Sequence, residues 1–169
     1  MAIDSLDELF EHKLRQLYYV ETQLVDDLDQ MAMHASNDRL SEGFADHRDE
    51  TREQVSRLEA VFDEIGVTPA PTEDRVLDAI EAERESLEDE IDDEDMLDMA
   101  YITGGMMTER VEMTGYEGLL MIAKRMEFDG AVTDHLEANY DEEQAAYREL
   151  DAMTTASDMK TFWDRITPS

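Results

Sequence analysis

Counting alternately by four and three from Phe10 gives Phe10, Leu14, Leu17, Glu21, Leu24, Leu28, Met31 and Ala35, an apolar seam with one carboxylate at its centre. That spacing is one face of an α-helix. Ser5-Leu6-Asp7-Glu8 just ahead of it is a capping-box pattern, so the first helix, α1, is expected from there to about Ala35. After a polar turn over Ser36 to Asp38, a second seam runs Leu40, Phe44, His47, Thr51, Gln54, Leu58, Val61 and Ile65, and Gly66 supplies the stop for α2. "VTPAPT" reads as an extended connector, because each Pro disfavours helix at the residue before it. A weaker, acidic helix α3 follows from Glu73 to about Glu90, with Val76, Leu77, Ile80 and Leu87 as its apolar side, and "DDED" breaks it.

The helix α4 is expected from about Asp95 to Met126, with the row Tyr101, Gly105, Thr108, Glu112, Gly115, Leu119, Ile122 and Met126. "FDG" ends it, and α5 continues to about Met153 on Val132, Leu136, Asn139, Glu143, Ala146, Leu150 and Met153. A short tail helix around Asp158 to Ile166 carries the single tryptophan, Trp163, expected to cap one end of the core. Helices of about thirty residues span about 45 Å. Short turns pair α1 with α2 and α4 with α5, while the α2–α4 link is long enough to run the length of the molecule. The expected fold is all-α: one domain over residues 1–169, a ferritin-like four-helix bundle with a long crossover carrying an extra helix.

The chain also matches itself. Residues from His47 align without a gap on those from Asn139, 92 positions on, so Asp49-Glu50 falls on Asp141-Glu142. The first helix aligns with α4 at a spacing of 91, placing Glu21 on Glu112. Two related helical hairpins are the natural reading.

Composition narrows the function. The net charge of −31, from 45 acidic and 14 basic residues, repels nucleic-acid phosphates and anionic membranes, so neither is expected as a partner. The 41% hydrophobic content and helical periodicity argue against disorder. An acidic folded chain with few lysines looks like a protein from a salt-filled cytoplasm, where a Debye length of about 3 Å at molar salt screens self-repulsion. With no cysteine, disulfides and thiolate metal sites are excluded. The N-terminus lacks the basic and apolar regions of a signal peptide, and "MAYITGGMM" is about half the length of a membrane span, so a cytoplasmic protein is expected.

Every long helix is polar at one level. Glu21 belongs to α1; His47, Glu50 and Gln54 to α2; Glu109 and Glu112 to α4; Asn139, Glu142 and Glu143 to α5. A buried unpaired carboxylate costs several kcal/mol, and several together repel one another. Two divalent cations remove both penalties, since four carboxylates balance a charge of +4. Helices α1 and α4 offer a single mid-seam Glu, and His47 and Glu50 are three residues apart on one helix face. A hydrogen-bonded layer without metal is the alternative. His12, His34 and His135 have no matching constellation. Tyr18 and Tyr116 lie beside proposed ligands, where they could donate hydrogen bonds to carboxylates or take part in redox chemistry, with packing the expected role, and the methionines read as core filler. Gly104, Gly105, Gly115 and Gly118 suggest close helix approach or a break. No phosphate loop or Ser-His-Asp arrangement is present.

"LYYVETQLVDDLDQMA", "DHRDETREQVSRLEAVFDEIG" and "YDEEQAAYRELDAM" together resemble the YciE/YciF-type ferritin-like proteins, over nearly the whole chain from about Leu6 to Met153. The resemblance implies a bundle, often dimeric, with a carboxylate-rich site suited to di-iron or ferroxidase-type chemistry and a role in stress response. By position it falls on Glu21, His47, Glu50, Glu109, Glu112 and either Glu142 or Glu143 as metal ligands. The expected cofactor is iron, two per chain, with manganese as the other choice, and the expected partners are metal ions, O2 or peroxide, and a second copy of the chain. Three departures stand out: His47-Arg-Asp-Glu50 reverses the Glu-x-x-His order, Asn139 stands where a second His is wanted, and Arg110 replaces a His beside Glu109. A metal-free bundle acting through dimerisation or partner binding is the competing function; cage storage has no assembly signature.

Overall fold

A computed structural model describes residues 3–155, which form five helices: α1 Leu6–His34, α2 Asp38–Glu64, α3 Arg75–Glu90, α4 Glu94–Arg125 and α5 Gly130–Thr155. The expected tail helix with Trp163 lies outside the described residues. Helix starts follow the capping chemistry of the sequence. Ser5 Oγ accepts from the Glu8 amide at 3.2 Å, while Glu8 reaches back to the Asp4 amide at 2.7 Å. Asn37, Asp74 and Asp93 cap the next three helices with their side-chain oxygens, each satisfying amides that have no partner inside the helix.

Two helix ends use a left-handed residue. Gly66 (φ 71°) closes α2, where the Val67 amide reaches the Phe62 carbonyl at 3.0 Å. Glu127 (φ 58°) does the same after α4, with the Phe128 amide on the Ala123 carbonyl at 3.1 Å. The helix therefore stops just ahead of "FDG", at a residue type that adopts this conformation at a cost.

The long helices pack in the cyclic order α1, α2, α5, α4, so each hairpin lies against the other and the α2–α4 connection crosses the bundle. This is the ferritin-like four-helix arrangement. The crossover helix α3 rests on α4 and reaches α1, where Tyr19 Oη donates to Asp78 at 2.8 Å and Arg84 pairs with Asp27 at 2.8 Å. Of its expected apolar side, Leu77 is buried, but Val76 is 56% exposed. Leu77 alone is fully inserted, while Ile80 and Leu87 are half-buried.

The core has two halves. Around Phe10, Leu14, Leu58, Phe62, Leu119 and Leu136 lies one apolar cluster; around Leu24, Leu28, Leu40, Phe44, Tyr101 and Leu150 lies the other. Asp98, buried on α4, accepts from the Ser36 amide (2.9 Å), the Ser36 hydroxyl (2.7 Å) and the Asn37 amide (2.9 Å), tying the α1–α2 turn to α4.

Candidate metal centre

Between the two apolar clusters sits a polar layer. Glu21, Thr51, Gln54, Glu109, Glu112, Asn139 and Glu143 are all buried there, at 3% exposure or less. Seam positions of four helices bring them together, because residues three and four apart share a helix face. His47 stands at the rim, its Nε2 3.2 Å from Glu109 Oε1 and 3.8 Å from Glu143 Oε2.

Two groups of three have ligand atoms within 4.8 Å of one another: His47, Glu109 and Glu143, and Glu21, Glu112 and Glu143. Glu143 belongs to both. Among the described residues these are the groupings capable of holding a metal ion. Five of the seven residues expected as ligands are thus assembled, and Glu143 rather than Glu142 is the α5 residue that faces inward.

Glu50 and Glu142 are elsewhere. The Glu50 carboxylate is 57% exposed, 3.7 Å from His47 Nδ1. Glu142 binds Arg57 outside the layer and accepts from Gln54 Nε2 at 3.1 Å. Both lie one helical step outside the seam, since a residue three places along turns about 60° short of a full circle.

A hydrogen-bond chain runs inward from Arg57. Its Nε donates to Asn139 Oδ1, Asn139 Nδ2 donates to Tyr116 Oη at 2.8 Å, and Tyr116 Oη donates to Glu21 Oε1. Tyr116 is therefore part of the layer as a donor to a carboxylate, the alternative to the packing role expected for it, whereas Tyr18 bonds Glu59 at 3.1 Å on the outer side. Asn139 occupies the place where a second His was expected, and it holds Tyr116. The signal that could have found this chain was present: Asn139 was already in the α5 seam.

Burial and mutual repulsion shape the ionisation. Desolvation lifts Glu21 to about 7, against the opposing pull of Tyr116 and His47. Burial, then the neighbouring carboxylates, raises Glu112 and Glu143 well above the usual range. Burial alone would lower His47, but Glu109, Glu50 and Glu143 outweigh it and hold the imidazole well above its ordinary value. The site is short of positive charge.

The donor set fits a pair of hard divalent cations. Six buried carboxylate oxygens of the layer accept no hydrogen bond from an amide, hydroxyl or basic side chain: Glu21 Oε2, Glu109 Oε2, and both oxygens of Glu112 and of Glu143. Native interiors leave few such atoms, and each asks for an explanation. Four carboxylates and one imidazole, without sulfur, suit iron or manganese.

Residues 5–161 match the family described as a domain of unknown function, DUF892. The chain belongs to this family. Protein YciF of Escherichia coli is 25% identical over 127 residues, covering 75% of this chain and 76% of that one. The structure of YcfI from Rhodopseudomonas palustris superposes with a TM-score of 0.85 at 32% identity, over 88% of this chain and 94% of its own. The crystal structure of the E. coli stress protein YciF gives the same TM-score, 0.85, at 23% identity, over 90% and 96% of the two chains, a likeness of fold. The expected YciE/YciF-type kinship and ferritin-like bundle are thus both found. No helix among the described residues of this DUF892 chain is long and apolar enough to cross a membrane.

Proposed function

We propose that the polar layer is a di-metal carboxylate centre, most suited to iron, and that the protein oxidises Fe(II) with O2 or peroxide as part of a stress response. The observation that carries this reading is Glu143, fully buried, common to two three-residue ligand groups, with both oxygens unpartnered. The stress connection rests on the description of YciF as a stress protein.

Glu143 would bridge the two positions, with His47 and Glu109 completing one and Glu21 and Glu112 the other. Bound iron would supply electrons to the oxidant by cycling between Fe(II) and Fe(III). The chain's own residues set the conditions. Glu50, beside His47 Nδ1, favours a proton there and leaves Nε2 free to face the site. Tyr116 holds Glu21 Oε1 and so fixes the direction of Oε2. Apolar clusters flank the layer on both sides, and such low-dielectric surroundings strengthen the electrostatic interactions between them. Manganese is accommodated by the same ligands.

The test is Fe(II) titration under air with optical detection. The reading expects saturable oxidation with a break near two irons per chain, lost in Glu143→Ala. A rate equal to that of free Fe(II) in buffer would refute it and favour the metal-free layer.

A further inference from the structure

The half of the core toward the α1–α2 turn contains a cavity of about 190 Å³ that begins at His47 and Glu109 and extends between the helices to α3. Small side chains on facing helices open it: Gly43, Ala100, Gly104, Gly105, Ala145 and Ala146. A Cβ placed on Gly104 would meet no atom within 4 Å. The body of the wall is apolar, from Leu24, Leu28, Phe44, Leu77, Tyr101 and Leu150. An apolar cavity of about 150 Å³ is enough to bind benzene.

Its polar groups restrict what can enter. Glu81 reaches the cavity from α3 with its carboxyl against that of Asp27, and its buried Oε1 accepts from no amide, hydroxyl or basic side chain. The two basic side chains on the wall are already engaged: Arg84 with Asp27 and Glu88, each at 2.8 Å, and His47 with Glu109 at 3.2 Å. Asp46, Glu50 and Glu149 add further negative charge along the boundary. An anionic ligand would meet repulsion with no free cation to offset it. A neutral ring fits the apolar wall, and one hydroxyl would give Glu81 Oε1 the donor it lacks.

We propose that this cavity binds a small, neutral, single-ring phenol, its ring between α1, α2, α4 and α5 and its hydroxyl donating to Glu81 Oε1. This goes beyond the metal reading and does not depend on it. The probes are 4-fluorophenol, fluorobenzene and 4-fluorobenzoate, followed by fluorine NMR with the full chain in chelator.

Saturable one-to-one binding of 4-fluorophenol is expected. Fluorobenzene should bind about fivefold more weakly, the value of one net hydrogen bond, and 4-fluorobenzoate should not saturate. Glu81→Leu should bring 4-fluorophenol down to the level of fluorobenzene. Gly104→Leu should abolish binding by filling the space, while Gly118→Leu, on the same helix away from the cavity, should leave it intact. Ala146→Leu repeats the blockade from another wall, so the outcome does not hang on one variant folding. No saturable shift with 4-fluorophenol, or equal binding of 4-fluorobenzoate, or undiminished binding in cooperatively melting Gly104→Leu and Ala146→Leu proteins, would overturn the proposal. Metal binding is measured separately, so phenol binding can fail with the metal centre intact, and the reverse.

Discussion

Replacing Glu112 with leucine separates a metal ligand from a structural polar group. Glu112 is 1% exposed, neither of its oxygens accepts from an amide, hydroxyl or basic side chain, and its one polar contact is the crowded Glu21 carboxyl, so its removal forfeits little. Without metal, the carboxyl imposes the cost of a buried unsatisfied polar group, about 1–3 kcal/mol. Leucine removes that cost and relieves the crowding of Glu21, Glu109 and Glu143. Taking the middle of the range, the variant should be more stable by about 2 kcal/mol, or about 4–8 °C in Tm for a chain of this size. With metal the order reverses. A ligand at one hundred times its Kd stabilises the wild type by about 2.7 kcal/mol, a gain the variant should largely lose. Calorimetric melts in chelator and in excess Mn(II), which avoids oxidation, read both effects. A variant that melts below wild type in chelator, or that gains as much from Mn(II), would refute the reasoning.

Glycines on one helix should diverge. A Cβ on Gly115 would lie 2.9 Å from Leu17 Cδ2 and 3.2 Å from Leu17 Cγ, and Leu17 is itself buried, so Gly115→Ala should cost about 1–3 kcal/mol by overpacking. Gly118→Ala meets nothing within 4 Å and should stabilise by up to about 1 kcal/mol; urea denaturation compares the two. Glu127→Gly should raise stability by about 1 kcal/mol by relieving a left-handed residue, read by the same assay. Burial and the adjacent Asp27 lift Glu81 from 4.5 to about 7. A raised acid binds its proton more tightly when folded, so its stabilisation is complete below about 4.5 and is lost as pH rises through about 7. The denaturation midpoint of wild type relative to Glu81→Gln should therefore fall across that window; a flat difference would contradict the shift.

Most of the bundle could be read from spacing. The α1 seam, Phe10 to Met31, is the buried face of that helix, and Ser5, Asn37 and Gly66 sit where the helices begin and end. These features are local, fixed by period and capping. The candidate centre was legible in part. Glu21, Glu112 and Glu143 lie in seams, so helix phase alone placed them inside. Glu50 and Glu142 were singled out by spacing from His47 and by alignment of the two hairpins, and both lie outside the layer. The same alignment pairs Thr51 with Glu143, and both are at 0% exposure. A three-residue step from a rim histidine turns outward and a four-residue step turns inward. Tyr116 lies beside Glu112 by spacing, but its place in the interior was less legible, because the α4 row passes through Gly115, whose missing side chain makes room for Leu17. The clamp by Asp98 and the cavity beside Gly104 depend on which helices meet at each level, a tertiary fact that no periodicity in one helix contains.

The most direct test is anomalous diffraction from crystals grown with Mn(II) after chelator treatment. Two peaks are expected inside the bundle on either side of Glu143, one facing His47 and Glu109 and the other facing Glu21 and Glu112, and both should vanish in Glu143→Ala. A map with no peak in the layer, from crystals that bind Mn(II) only at surface carboxylates, would contradict a metal centre and leave a bundle with an acidic, protonated core.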